Sequence, residues 1–138
     1  MSEKLCTLKK KGGGTLKETT LWTNPSPSSA FAAQTVTLSQ DFTTFDYVRI
    51  YWMQGSANTT DVFYIDIPSD VMVESFIQSG NPKPFISLCA WRDDTNYSMA
   101  RRVFYSSNTK IQFTTAILMN GTGTNNALII PTKISGIK

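Results

Sequence analysis

Apolar residues recur at every second position along most of this chain. Gln34–Leu38 sets Val36 and Leu38 on one side. Asp46–Met53 sets Val48, Ile50 and Trp52 on one side and Tyr47, Arg49, Tyr51 and Met53 on the other. Asp61–Ile67 groups Phe63, Ile65 and Ile67 before Pro68 stops the run. Val71–Ile77 alternates less cleanly and is read as a further strand. Phe85–Arg92 is apolar on both faces, as a strand covered by two layers would be. Tyr97–Tyr105 alternates again, Lys110–Ile117 groups Ile111, Phe113, Thr115 and Ile117, and Ala127–Ile137 groups Leu128, Ile130, Thr132 and Ile134. A period of two marks strands, because successive side chains on a pleated strand point to opposite faces.

Turn residues separate these runs. Asn24-Pro25-Ser26-Pro27 forbids a regular helix or a central strand. Gly55–Thr60, Ser79–Pro84, Asp93–Asn96, Ser106–Asn108 and Asn120–Asn126 are read as corners. Seven to nine short strands with no convincing amphipathic helix predict an all-β fold. The expectation is an antiparallel β-sandwich, jelly-roll-like in type, over residues 21–138. Residues 1–20 are expected to be a flexible leader, since Lys9-Lys10-Lys11-Gly12-Gly13-Gly14 joins charge repulsion to backbone freedom.

Composition reinforces this reading. Ser and Thr supply 14 and 18 residues, while only 17% of the chain is charged. Threonine suits half-exposed strands, and serine suits turns. The net charge of +3 lies in the leader: residues 1–20 carry five lysines against Glu3 and Glu18. The remaining eight basic and eight acidic residues cancel, so no basic field points the body at nucleic acid. Cys6 and Cys89 are expected to be free thiols, with Cys89 a small hydrophobe inside its apolar run. No hydrophobic segment follows the leading lysines, so no signal peptide is expected, and no apolar run is long enough for a membrane-spanning helix.

The available chemistry is narrow. The chain has no histidine, which removes the commonest general base and metal ligand. Asp61 and Asp66 are five residues apart on one strand and so face opposite ways. Asp93 and Asp94 suit the capping of turn amides, and their loop lacks the glycine and distal glutamate of a calcium hand. No catalytic residue, metal site or cofactor is therefore expected. Two candidate surfaces remain. Arg92, Asp93, Asp94, Asn96, Tyr97 and Arg101 gather around one hairpin and offer polar and aromatic groups to a glycan. Tyr47, Arg49, Tyr51 and Met53 share one strand face with the composition of a protein interface, or of a second buried layer. Phe31, Phe63, Phe85, Phe104, Phe113 and Trp52 are assigned to the core.

The run Leu21–Leu38, followed by Phe45–Tyr51, is similar to segments of small phage and prophage virion proteins. Arg101–Tyr105 and the ending Leu128–Lys138 resemble the later strands of the same tail-fibre, receptor-binding or head-fibre modules. The resemblance implies a non-enzymatic β-sandwich at the end of a bacteriophage virion appendage. It implies a homotrimer in the virion; the expected free thiols and lack of a signal peptide fit synthesis in the host cytoplasm. The leader, through Lys9, Lys10 and Lys11, would dock on other virion proteins of the capsid or tail. The body would bind a host cell-surface glycan or protein. A capsid decoration or assembly protein with no host ligand is the alternative, and a glycan-degrading enzyme is the remote third.

Overall fold

The computed structural model describes residues 15–55, 58–76, 86–92, 97–118 and 123–138, with the backbone alone at 58–61, 91–92 and 97. The strands are β1 (Glu18–Thr23), β2 (Gln34–Thr37), β3 (Tyr47–Gly55), β4 (Asn58–Pro68), β5 (Ile86–Arg92), β6 (Tyr97–Ser107), β7 (Lys110–Phe113), β8 (Ile117–Leu118) and β9 (Leu128–Ile137). They form two antiparallel sheets, one ordered β1-β9-β3-β4 and the other β2-β7-β6-β5, with β8 also on β6. The sheets pack face to face, as the alternating pattern predicts for an all-β sandwich. The chain changes sheet between β1 and β2, between β2 and β3, between β4 and β5, and again between β8 and β9. Strands β3 and β4 stay together as a hairpin, and β5, β6 and β7 run as a meander.

The inner faces supply the core. Val48, Ile50 and Trp52 of β3 meet Val36, Ile111, Phe113, Leu88, Met99 and Val103 of the other sheet in one buried cluster. Each such side chain contributes about 1.5–3 kcal/mol by leaving water. Phe31 and Phe113 are buried as expected, and with Trp22 they form an edge-to-face cluster at ring separations of 5.5–6.3 Å. Phe104 is buried too, but Phe63 is 40% exposed, and Phe85 lies outside the described residues.

Local chemistry explains the corners. The buried Asn24 donates from Nδ2 to the Pro131 carbonyl at 2.8 Å and accepts the Ser26 amide on Oδ1. That side chain lets the proline-rich turn leave β1 without stranding buried polar groups. Asp41 caps a single 3-10 turn, Phe42–Thr44, by accepting the Thr43 amide at 2.8 Å, and Phe42 plugs one end of the core.

Three expectations are corrected here. Val71–Ile77 is not a strand: residues Ser69–Glu74 form the short helix α1. Pro68 ends the β4 ladder, and only Met72 is needed inside, where it is fully buried. The Ser75 carbonyl then accepts the Tyr105 amide, which ties the end of the helix to β6. The sheet also reaches back before Leu21, since β1 begins at Glu18 and Lys17 exchanges two backbone hydrogen bonds with Lys138. Finally, Cys89 is a free thiol on the exposed side of β5 rather than a core residue.

Arg101 is the largest surprise of the interior. It is fully buried at the centre of β6. Its Nε donates to the Ile129 carbonyl at 2.7 Å, and its terminal nitrogens donate to the carbonyls of Thr114, Leu128 and Asn126. The guanidinium also lies 5.2 Å from the centre of the Phe31 ring. Burial pushes its pKa down to about 10, so it keeps its charge at neutral pH. Ile129, one of its acceptors, sits in the left-handed region at φ 48°, a strained place for a β-branched residue.

Candidate functional site

Asp93, Asp94 and Asn96 lie outside the described residues, as do the side chains of Arg92 and Tyr97. Arg101 is corrected outright. It points inward from β6 and donates to four carbonyls, so no surface ligand reaches it. Lys9, Lys10 and Lys11 also lie outside the described residues.

The strand face carrying Tyr47, Arg49 and Tyr51 does reach the surface. Register sets Arg49 opposite Asp66 of β4 and Ser135 of β9, and Tyr51 opposite Tyr64 and Lys133. Arg49 grips Asp66 with two parallel bonds, Nε to Oδ1 at 2.6 Å and a second nitrogen to Oδ2 at 2.8 Å. This fork geometry is the strongest form of an arginine–carboxylate pair. Glu18 of β1 accepts the Tyr51 hydroxyl at 2.6 Å and stands 3.5 Å from Lys133 and 3.8 Å from Arg49. Arg49 lies 4.4 Å over the Tyr64 ring, and Lys133 lies 4.4 Å over Tyr51. The four charges cancel, which leaves a neutral, laterally braced platform with Tyr64 56% exposed on it.

Met53 is corrected as an interface residue. It is buried in the core cluster. Opposite Tyr51 and Trp52 the β9 register slips by one residue, and at this end of β3 both Trp52 and Met53 are buried.

The platform's electrostatics follow from these contacts. Burial pulls the Glu18 carboxyl upward, but the Tyr51 hydroxyl, the Ser135 side chain and the two cations outweigh it, and the net shift is downward. Asp66 raises the Arg49 pKa, and partial burial with the Glu18 contact raises that of Tyr51. A carboxylate with a depressed folded pKa adds stability above its unfolded value, here 4.5, and loses it as pH falls through the folded value. Urea titrations from about pH 6 to pH 3 should therefore show Glu18→Gln with a shallower acid loss than the parent. Parallel curves would refute the coupling.

Beside the platform runs the outer edge of β4, which among the described residues pairs with no further strand. Six large hydrophobic side chains are exposed among the described residues: Tyr47, Val62, Phe63, Tyr64, Val71 and Phe76. Five of these fall between Val62 and Phe76, and the sixth, Tyr47, is the cross-strand partner of Pro68 in that stretch. Phe63 stacks on Trp52 at 5.9 Å on the inner side, whereas Tyr64 stands over the outer platform. Val62 and Tyr64 are thus exposed on one face of β4 and Phe63 on the other. Sequence reasoning placed Phe63 in the core and passed over Val62 and Tyr64. The signal available was three consecutive apolar residues, Val62-Phe63-Tyr64, which load both faces of one strand end.

A second feature is a hollow of mixed lining. Where β7 ends, the chain leaves the sheet through Thr114 and Thr115, and a hollow of about 470 Å³ opens over β6. Gln34, Thr35, Arg102, Gln112, Thr114 and Thr115 share its lining with Ala33, Phe113 and Ile117. Amides and hydroxyls in that density suit sugar hydroxyls or a polar peptide. Among the described residues, no three His, Cys, Asp or Glu side chains converge as metal ligands would. No protein-family model matches this sequence, and no curated protein matches it.

Proposed function

We propose that this chain is a non-enzymatic assembly module of a bacteriophage virion appendage, one that works by holding surfaces together. The observation that carries this reading is the apolar exposure along β3, β4 and α1 beside a platform whose charges are already paired. Such a surface has hydrophobic area to bury and little bare charge to desolvate, which favours protein contact. The resemblance of Leu21–Leu38 and Leu128–Lys138 to phage fibre and knob modules supplies the setting. It implies self-association, as a trimer, with the lysine-rich leader docked on a capsid or tail protein. A jelly-roll kinship is supported by two pairings, β1 with β9 and β2 with β7, which join the two ends of the chain as that fold does.

Co-sedimentation tests the reading. Purified full-length chain should pellet with particles assembled without it, and a chain lacking residues 1–14 should pellet less. Absence of binding to any capsid or tail preparation would refute it. A second reading, retention of a host-surface glycan, is favoured by the hollow over β6, where amide and hydroxyl groups stand beside apolar surface. Glycan-array binding that is lost in Gln112→Ala would support that role.

A further inference from the structure

We infer that β4 is the seam of a two-fold homodimer, in which it pairs antiparallel with β4 of a second copy and joins two four-stranded sheets into one of eight. The inference rests on the reading of this chain as an assembly module and names its first partner.

Strand β4 has β3 on one side and, among the described residues, no strand on the other. It is 11 residues long. Monomeric proteins protect such an edge with short strands, lysines, prolines or bulges. Between Val62 and Ile67 there is no lysine, proline or glycine, and the pairing to β3 runs without a slip from Met53–Val62 to Tyr47–Pro68. The one charge there, Asp66, is held by Arg49. Among the described residues, the Val62–Ile67 stretch of the edge is thus regular, largely apolar and uncovered, between a polar start at Asn58–Asp61 and Pro68.

The exposed side chains narrow the occupant. Phe63 projects to one face of the strand, while Val62 and Tyr64 project to the other. A helix laid on the sheet would cover one face only. An antiparallel strand with the same alternation covers both and also satisfies the free backbone groups. The charges beside the seam, Arg49 and Lys133 against Glu18 and Asp66, sum to zero, so two copies meet without net repulsion. Val62, Phe63 and Tyr64, on the strand itself, are 55%, 40% and 56% exposed and would be covered together with the strand's unpaired backbone groups.

One edge can pair with one other edge. A contact of this kind is isologous and closes about a two-fold axis. The assembly unit then contains an even number of chains, which replaces the three-fold count implied by the resemblance.

Light scattering on the full-length chain at about 100 micromolar should give a mass of two chains, or an even multiple. Val62→Lys with Tyr64→Lys, both at exposed positions, should shift it to one chain and weaken association at least tenfold, with the far-ultraviolet β spectrum unchanged. Should that variant unfold, hydrogen exchange on the parent decides the matter. Amides of Val62–Ile67 should gain protection as concentration rises. A monomeric or trimeric parent, a dimer indifferent to both lysines, or β4 amides insensitive to concentration would overturn the seam. Particle binding by a monomeric parent would defeat the seam alone; a proper dimer that binds no particle would defeat the appendage reading alone.

Discussion

Replacing Arg101 with Ala should lower the unfolding free energy by about 3–5 kcal/mol in a urea titration. The cost comes from what is left behind. Four carbonyls, those of Thr114, Asn126, Leu128 and Ile129, lose a charged donor inside the fold. Two belong to the strained start of β9, and one belongs to the break between β7 and β8. The guanidinium therefore fastens two irregular backbone segments to the middle of β6. Arg101→Met fills the space but leaves the same carbonyls bare, so its loss should be nearly as large. Arg101→Lys offers three donors from one nitrogen and cannot span the set. A loss under 1 kcal/mol for Arg101→Ala would mean that the carbonyls find other donors.

Phe113→Ala should cost a similar amount, about 3–5 kcal/mol, by calorimetry or urea titration. Its ring is fully buried and packs edge-on against Phe31 at 5.5 Å and tilted against Trp22 at 6.3 Å. Its backbone holds β7 between Gln34 of β2 and Val103 of β6. Truncation opens a cavity whose walls, two strands and two rings, have no ready way to collapse. Phe31 touches both Phe113 and the Arg101 guanidinium, so the two substitutions share a neighbour. The double variant should lose less than the sum of the singles. Strict additivity would show that the aromatic cluster and the buried arginine act independently.

Alternation revealed the sheets because it reports a local property, the direction of each side chain. Val48, Ile50 and Trp52 all lie inside, as their spacing requires. It failed where geometry depends on partners far along the chain. Met53 follows the polar face by count, yet it is buried, at the end of β3 where the pairing with β9 slips. Arg101 reads as a surface cation, because nothing nearby in sequence announces the carbonyls of residues 126–129 that receive it. Phe63 reads as core, because only the strand order places β4 at an edge. Tyr47, Arg49 and Tyr51 were visible as a shared face, yet their partners Glu18, Asp66 and Lys133 come from three other strands. The α1 helix was hidden by a short stretch whose apolar residues fit either period, with Met72 alone deciding the outcome.

The bonds between Lys17 and Lys138 carry a mechanical consequence. Strands β1 and β9 are antiparallel neighbours, so the backbone arrives and departs at the same pole of the sandwich. Tension applied through both ends would peel β1 from β9 one rung at a time, the weakest way to load a ladder, instead of shearing all rungs together. A fold strung like this resists pulling poorly as a link in mid-filament, and is better placed hanging from a single attachment, where stress bypasses its sheets.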